Sequence, residues 1–88
     1  MGNFYPVQVM PIEGFRLFLT FDNGEYRIFN VAPYLVDAYF APLINPIIFN
    51  SVKISPVSVE WDSGIDICPD ELYNNSVLVH QISKELAE

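Results

Sequence analysis

The sequence is poor in basic residues, which argues against direct binding to nucleic acid. Four lysines and arginines stand against eleven acids in 88 residues, for a net charge of -7. The bases are scattered along the chain, at Arg16, Arg27, Lys53 and Lys84. Proteins that bind a phosphate backbone cluster such side chains on one surface. We therefore expect no direct contact with DNA or RNA.

Cysteine and long apolar runs are scarce as well. Cys68 is the single cysteine, so no disulfide can form within the chain, which favours a reducing compartment. No segment approaches the roughly 20 apolar residues that a membrane-spanning helix needs. The N-terminal residues lack the basic start and apolar run of a signal peptide. These absences predict a cytoplasmic protein that does not enter the membrane.

The residues that usually carry catalysis or bind metals are few and poorly spaced. His80 is the single histidine, and no third group is marked that would orient a nucleophilic pair of His80 and Cys68. Asp62, Asp66 and Asp70 lie four residues apart, which does not match the ligand spacing of a calcium loop. The isolated glycines form no phosphate-binding loop. We expect no catalytic residue, cofactor or metal, and an enzyme is the less favoured interpretation.

Apolar and aromatic side chains are plentiful, at 51% and 15% of the residues. They suffice for the core of one small domain over residues 1–88. Residues 5–10, 15–21 and 26–31 are rich in strand-forming side chains. The first third of the chain therefore predicts an antiparallel β-meander.

The connection at Asn23-Gly24 predicts the register of the second hairpin. Asn-Gly favours a two-residue type I′ turn, which needs positive φ at both residues. Phe21 then lies opposite Tyr26, and the core face is Leu17, Leu19, Phe21, Tyr26 and Ile28. The second face carries Arg16, Phe18, Thr20, Arg27 and Phe29. On it, Phe18 and Phe29 oppose each other, and we expect them to form an exposed contact surface with Arg27 as its anchor.

The middle of the chain is interrupted by Pro33, Pro42 and Pro46, which forbid a long helix. Residues 33–36 are long enough for one helical turn. Asn45-Pro46 has the form of an N-cap followed by proline at the first helical position, which predicts a short helix. We expect apolar side chains of this segment to cover the sheet: Leu35, Phe40, Leu43, Ile48 and Phe49.

The last third returns to strands. Residues 52–54 and 57–61 predict a strand pair, and residues 62–64 a turn. Pro69, with two acids after it, predicts the start of a short helix. Residues 76–88 suit either a helix or a strand, and they are interpreted as a mobile tail or a dimerisation segment. The complete pattern predicts an α+β fold.

The stretch from Trp61 to Tyr73 permits two interpretations. In one, Trp61, Asp66 and Tyr73 line a small pocket that binds a ligand. In the other, the aromatic rings close the core and the Asp66 carboxylate accepts hydrogen bonds from backbone N–H groups. The same stretch is acidic, and it presents either a solvated face or a surface for a basic protein. The acids expected at such an interface are Asp62, Asp70 and Glu71.

Two spaced patterns carry a family resemblance. One is Leu-x-x-x-Phe-x-x-Gly-x-x-Arg, present as Leu17, Phe21, Gly24 and Arg27. The other is Trp-x-x-Gly-x-Asp-x-x-Pro-x-x-Leu-Tyr, present as Trp61, Gly64, Asp66, Pro69, Leu72 and Tyr73. Over residues 5–75 the chain resembles a bacterial family of small proteins, domain-of-unknown-function family 2442. The family often has Asp where this chain has Asn30.

The resemblance implies a small α+β domain with an antiparallel sheet and no established activity. Some members of that family are joined to a repressor-type helix-turn-helix, and others are encoded beside a second short protein, as in a toxin–antitoxin pair. We therefore predict a non-enzymatic interaction module that binds another protein or a second copy of itself. The alternative is a small ligand-binding domain or enzyme with its pocket near Trp61, Asp66 and Tyr73.

Overall fold

The computed structural model describes residues 4–79 and contains two antiparallel sheets with short helices between them. Its strands are β1 (Pro6–Ile12), β2 (Arg16–Phe21), β3 (Tyr26–Asn30), β4 (Lys53–Ile54), β5 (Val59–Glu60), β6 (Asp66–Ile67) and β7 (Val77–Leu78). Its α-helices are α1 (Pro46–Phe49) and α2 (Pro69–Asn74), preceded by 3-10 helices at Ala32–Val36 and Ala41–Ile44.

The four-stranded sheet has the order β1-β2-β3-β7, and the three-stranded sheet has the order β4-β5-β6. The first three strands form the predicted meander, and β4 pairs with β5 as expected from the last third of the sequence. The chain leaves the first sheet after β3 and returns to it only with β7. The predicted α+β class is confirmed.

The turn between β2 and β3 holds three residues, so the predicted two-residue type I′ turn is wrong. The Phe21 N–H donates to the Glu25 carbonyl at 2.9 Å, and the Gly24 N–H donates to the Phe21 carbonyl at 2.9 Å. Gly24 has a φ of +89°, whereas Asn23 is not among the residues with positive φ. A three-residue loop with glycine in the left-handed region is the next most common hairpin connection.

The additional turn residue shifts the hairpin register by one position and exchanges the two faces of β3. Thr20, rather than Phe21, lies opposite Tyr26, and Phe18 lies opposite Ile28 rather than Phe29. Such a slip moves every side chain of a strand to the other face. Phe29 is therefore fully buried on the core face, and Tyr26 is exposed on the outer one.

The middle segment follows the sequence prediction closely. The Asn45 side chain accepts a hydrogen bond from the Ile47 N–H at 2.9 Å and caps α1, with Pro46 at the first helical position. Residues 32–36 form the expected single turn, as a 3-10 helix. Leu43 and Phe49 are buried, and three other predicted side chains pack partly buried against the same core: Leu35, Phe40 and Ile48.

Both sheets and the helices contribute to one hydrophobic core. Its buried members are Leu17, Leu19, Phe21, Phe29, Val31, Leu43, Phe49, Val59, Trp61, Ile65, Ile67 and Leu72. Within residues 4–79, no helix has the length and apolar character needed to cross a membrane. Of the segment 76–88, residues Val77–Leu78 form a strand, while His80 and the positions after it lie outside the described residues.

Candidate protein-interaction face

The side of the four-stranded sheet that faces away from the core, here called the outer face, carries a continuous line of apolar side chains. Met10 lies opposite Phe18, Phe18 opposite Ile28, and Ile28 opposite Val77. Because paired residues share a face, these four side chains project from the same side of the sheet. We call them the apolar row, and it crosses all four strands.

The apolar row is open to solvent at both ends and bordered by more polar positions. Met10 is 57% exposed and Val77 is 67% exposed, while Phe18 is half-buried. Phe18 stacks on Tyr26, with ring centroids 5.8 Å apart and ring planes 18° from parallel. The flanking rows are Gln8, Thr20 and Tyr26 on one side and Ile12, Arg16 and Asn30 on the other. An apolar centre with a more polar border is the usual organisation of a protein interface.

A groove of about 410 Å³ lies beside the apolar row, between β1 and β4. Met10, Phe18 and Thr20 contribute from the outer face, and Lys53 and Ile54 contribute from β4. The Lys53 Nζ lies 3.4 Å from Asp62 Oδ1 and 4.0 Å from Glu60 Oε2. Lys53, the cationic side chain of the groove, is therefore already paired with acidic residues of the chain.

Arg27 lies on the core face and not on the outer one, contrary to its predicted place beside Phe18. Its Nε donates to Ser76 Oγ at 2.7 Å, and a terminal nitrogen donates to Glu25 Oε1 at 2.7 Å. The guanidinium lies 4.2 Å from the centroid of the Tyr73 ring, and the side chain is 14% exposed. Arg27 thus connects β3 to the segment after α2 through its bond to Ser76. Its role in an interface stays a prediction, with less support.

Tyr73 completes this cluster and links the two patterned stretches of the sequence. Its hydroxyl donates to Glu25 Oε1 at 2.6 Å. Its ring packs nearly perpendicular to the Phe21 ring, with the two ring centroids 5.0 Å apart. The hydrogen bond from Tyr73 is the largest cause of the lowered pKa of Glu25. Burial acts in the opposite direction, and the hydrogen bond from Arg27 lowers the pKa further. The spacing patterns contained both Arg27 and Tyr73, but their contact spans 46 residues and could not be read from either pattern.

The groove beside the apolar row includes none of Trp61, Asp66 and Tyr73. Trp61 is buried, and its Nε1 donates to the Phe49 carbonyl at 2.9 Å. Asp66 is exposed, and its carboxylate accepts from the Tyr39 hydroxyl at 3.2 Å. The expected capping of the Asp66 carboxylate by backbone N–H groups is therefore wrong. A second groove of about 330 Å³ lies between the β1–β2 turn and α1, away from these three residues.

The acidic residues proposed for a basic partner are partly engaged within the chain. Glu71 accepts a hydrogen bond from the Tyr34 hydroxyl at 2.7 Å, and Asp62 lies beside Lys53. Burial, together with the bond to Glu71, raises the pKa of Tyr34. Asp70 is exposed. The acidic stretch therefore offers fewer free carboxylates than its sequence indicates.

The residues considered for catalysis and metal binding do not assemble into a site where they are described. Cys68 is exposed at the start of α2, and His80 lies outside the described residues. Among residues 4–79, no three His, Cys, Asp or Glu side chains come together in a group that could hold a metal ion.

Comparisons with known proteins agree with the two spaced patterns. No curated protein and no solved structure matches the chain. One family model does, the family described as "Protein of unknown function (DUF2442)", over residues 6–77. This match covers both patterned stretches in full. The chain therefore belongs to this family of proteins of unknown function.

Proposed function

We propose that this chain is a non-enzymatic protein-interaction module that binds its partner through the outer face. The observation that carries the proposal is the apolar row, which crosses all four strands and remains open to solvent. A sheet with one face on the core normally presents polar side chains on the other face. Here the centre of the outer face is apolar as well, and β4 lies beside it at the groove that Met10 and Phe18 line.

Burial of this face supplies a sufficient driving force for association. Complete burial of an apolar side chain of this size contributes about 1.5–3 kcal/mol relative to leaving it exposed. Met10 and Val77 retain more than half of their surface, and Tyr26 retains 49%. A few such side chains, together with the aromatic pair of Phe18 and Tyr26, suffice for the central contacts of an interface.

A ligand-binding domain or enzyme has weaker support. Trp61 is buried in the core, Asp66 is bonded to Tyr39, and the polar groups that converge on a binding site are few. A partner drawn by the acidic stretch also has weaker support, because Glu71 and Asp62 have contacts within the chain. The proposal includes a cytoplasmic location and, as one form of partnership, a regulatory or toxin–antitoxin-like pair.

Site-specific cross-linking in the cell tests the proposal. A photoreactive amino acid replaces Met10 on the outer face, and the matched control replaces Ile47, an exposed apolar residue of α1 that belongs to neither the apolar row nor its flanking rows. We expect one discrete, identifiable protein adduct from position 10 and none from position 47. No adduct from position 10, or the same adducts from both positions, contradicts the proposal.

A further inference from the structure

We infer that the occupant of the outer face is a second copy of the same chain, so that two apolar rows stack in a homodimer. The inference rests on the proposed function and specifies its partner. The two flanking rows would form the border of the interface. In this arrangement each copy covers the face that the other leaves open.

The distribution of charge selects this occupant. The chain carries a net charge of -7, yet none of the acids among residues 4–79 lies in the apolar row or in the two flanking rows. The one charged side chain there is Arg16, whose Nε donates to the Glu13 carbonyl at 2.8 Å. A basic partner would be attracted to the acids elsewhere on the surface. Apart from Arg16 at its border, the outer face is uncharged, and a second copy supplies a matching apolar surface.

The geometry suits a face-to-face arrangement better than an extension of the sheet. Apolar sheet faces pack about 10 Å apart, and a two-fold axis lets one patch contact itself. Pairing along the edge is disfavoured at β1, because Pro6 and Pro11 lack the N–H groups that a further strand would need.

The size of the face predicts a reversible dimer. Four strands about 4.8 Å apart and three rows of side chains about 6.6 Å apart make a face on the order of 400 Å². Each partner in a standard stable interface buries about 800 Å². A face of roughly half that area gives a dimer that dissociates on dilution rather than a permanent one.

The net charge adds a dependence on salt that separates this dimer from a complex with a basic protein. Two copies with a charge of -7 repel each other, and this repulsion is screened over about 10 Å at 0.1 M salt. Salt therefore strengthens association between two copies. Association between an acidic surface and a basic partner would weaken as salt rises.

Sedimentation equilibrium of the full chain tests the inference, over about 1 µM to 1 mM protein and at low and high sodium chloride. We expect the mass to rise from one chain toward two, with tighter association at high salt. Phe18→Asp should raise the dissociation constant at least about tenfold, because it buries a carboxylate in the interface. Ile47→Asp, at an exposed position of α1 outside the apolar row and its flanking rows, should leave the dissociation constant unchanged. If the Phe18→Asp variant does not fold, the test uses Met10→Asp instead, at an exposed position of the edge strand β1.

Three results overturn the inference: a single-chain mass throughout, a dimer that neither outer-face variant weakens, or a dimer that salt dissociates. The cross-linking experiment at position 10 separates this failure from failure of the proposed function. An adduct between two copies supports both ideas. An adduct with a different protein overturns the homodimer and leaves the interaction module standing, whereas no adduct overturns both.

Discussion

The two faces of the four-stranded sheet both carry apolar side chains, but only those of the core face are fully buried. Leu17, Leu19 and Phe29 on the core face have no exposed surface. Met10 and Val77, at the two ends of the apolar row, keep more than half of theirs. Hydrophobicity therefore does not identify the core face of this sheet. The proposed function assigns the outer face to contact with a partner, and each prediction below tests that division between the two faces.

The largest effect is expected from the two phenylalanines of the hairpin, one on each face. Phe29→Ala should lower the free energy of unfolding by about 3–5 kcal/mol, because it leaves a cavity in the core. Phe18→Ala should cost about 1 kcal/mol, since Phe18 is only half-buried and its ring stacks on the exposed Tyr26. Urea unfolding at low protein concentration, where a dimer is dissociated, measures both. Equal losses in the free energy of unfolding would show that the two phenylalanines do not differ in burial as described.

The two arginines of the meander form a second matched pair. Arg27→Met keeps the aliphatic part of the side chain but removes its hydrogen bonds to Glu25 and Ser76 and its contact with Tyr73. Hydrogen bonds to charged groups contribute about 1.5–3 kcal/mol, so we expect a loss of about 2 kcal/mol.

Arg16→Met is the control for that substitution. It removes one exposed hydrogen bond to the Glu13 carbonyl and should cost less than about 1 kcal/mol. Thermal unfolding of both variants checks the order. A larger loss of stability for Arg16→Met than for Arg27→Met would contradict the account, because the arginine on the outer face would then be the more stabilising one.

A smaller effect is expected at the turn that determines the register. Gly24 has a φ of +89°, and an added Cβ would meet no atom within 4 Å. Gly24→Ala should therefore cost about 1 kcal/mol, from backbone strain alone. An unchanged melting temperature would contradict the three-residue turn and, with it, the assignment of the faces.

The smallest effect concerns pH. The pKa of Glu25 is lowered from 4.5 in the folded chain, mainly by the Tyr73 hydroxyl. The unfolded chain then binds the proton more readily, so this stabilisation is present above about pH 4.5 and is lost as pH falls through the folded pKa. Glu25→Gln should flatten the acid side of the stability curve, and Tyr73→Phe should flatten it in part. If both variants keep the slope of the natural chain, the cluster does not influence acid stability.

The sequence predicted the type and order of the elements because those depend on neighbouring residues. Asn45-Pro46 predicts a capped helix start, and the capping bond is present at 2.9 Å. Pro69 likewise begins α2. The strands of the meander were predicted to within one or two residues from their aromatic and β-branched side chains.

The sequence could not predict the faces of β3 because local information is evenly balanced there. The pair Tyr26 and Ile28 is about as apolar as the pair Arg27 and Phe29, because the arginine side chain has a long aliphatic part. Asn-Gly suits both a two-residue and a three-residue turn. The contact between Arg27 and Tyr73 draws Arg27 to the core face, and it joins residues far apart in the chain. The candidate site was therefore predicted in part: Phe18 lies on the outer face, whereas Phe29 and Arg27 do not.

The most direct test of the central claim is a concentration series of NMR spectra that follows the resonances of the full chain. From dilute to concentrated protein, we expect shift changes confined to the outer face, at Met10, Phe18, Ile28 and Val77. Resonances of Leu17, Leu19 and Phe29 should stay in place apart from small relayed changes. Spectra that do not depend on concentration, or changes centred on Asp70 and Glu71, would contradict the account.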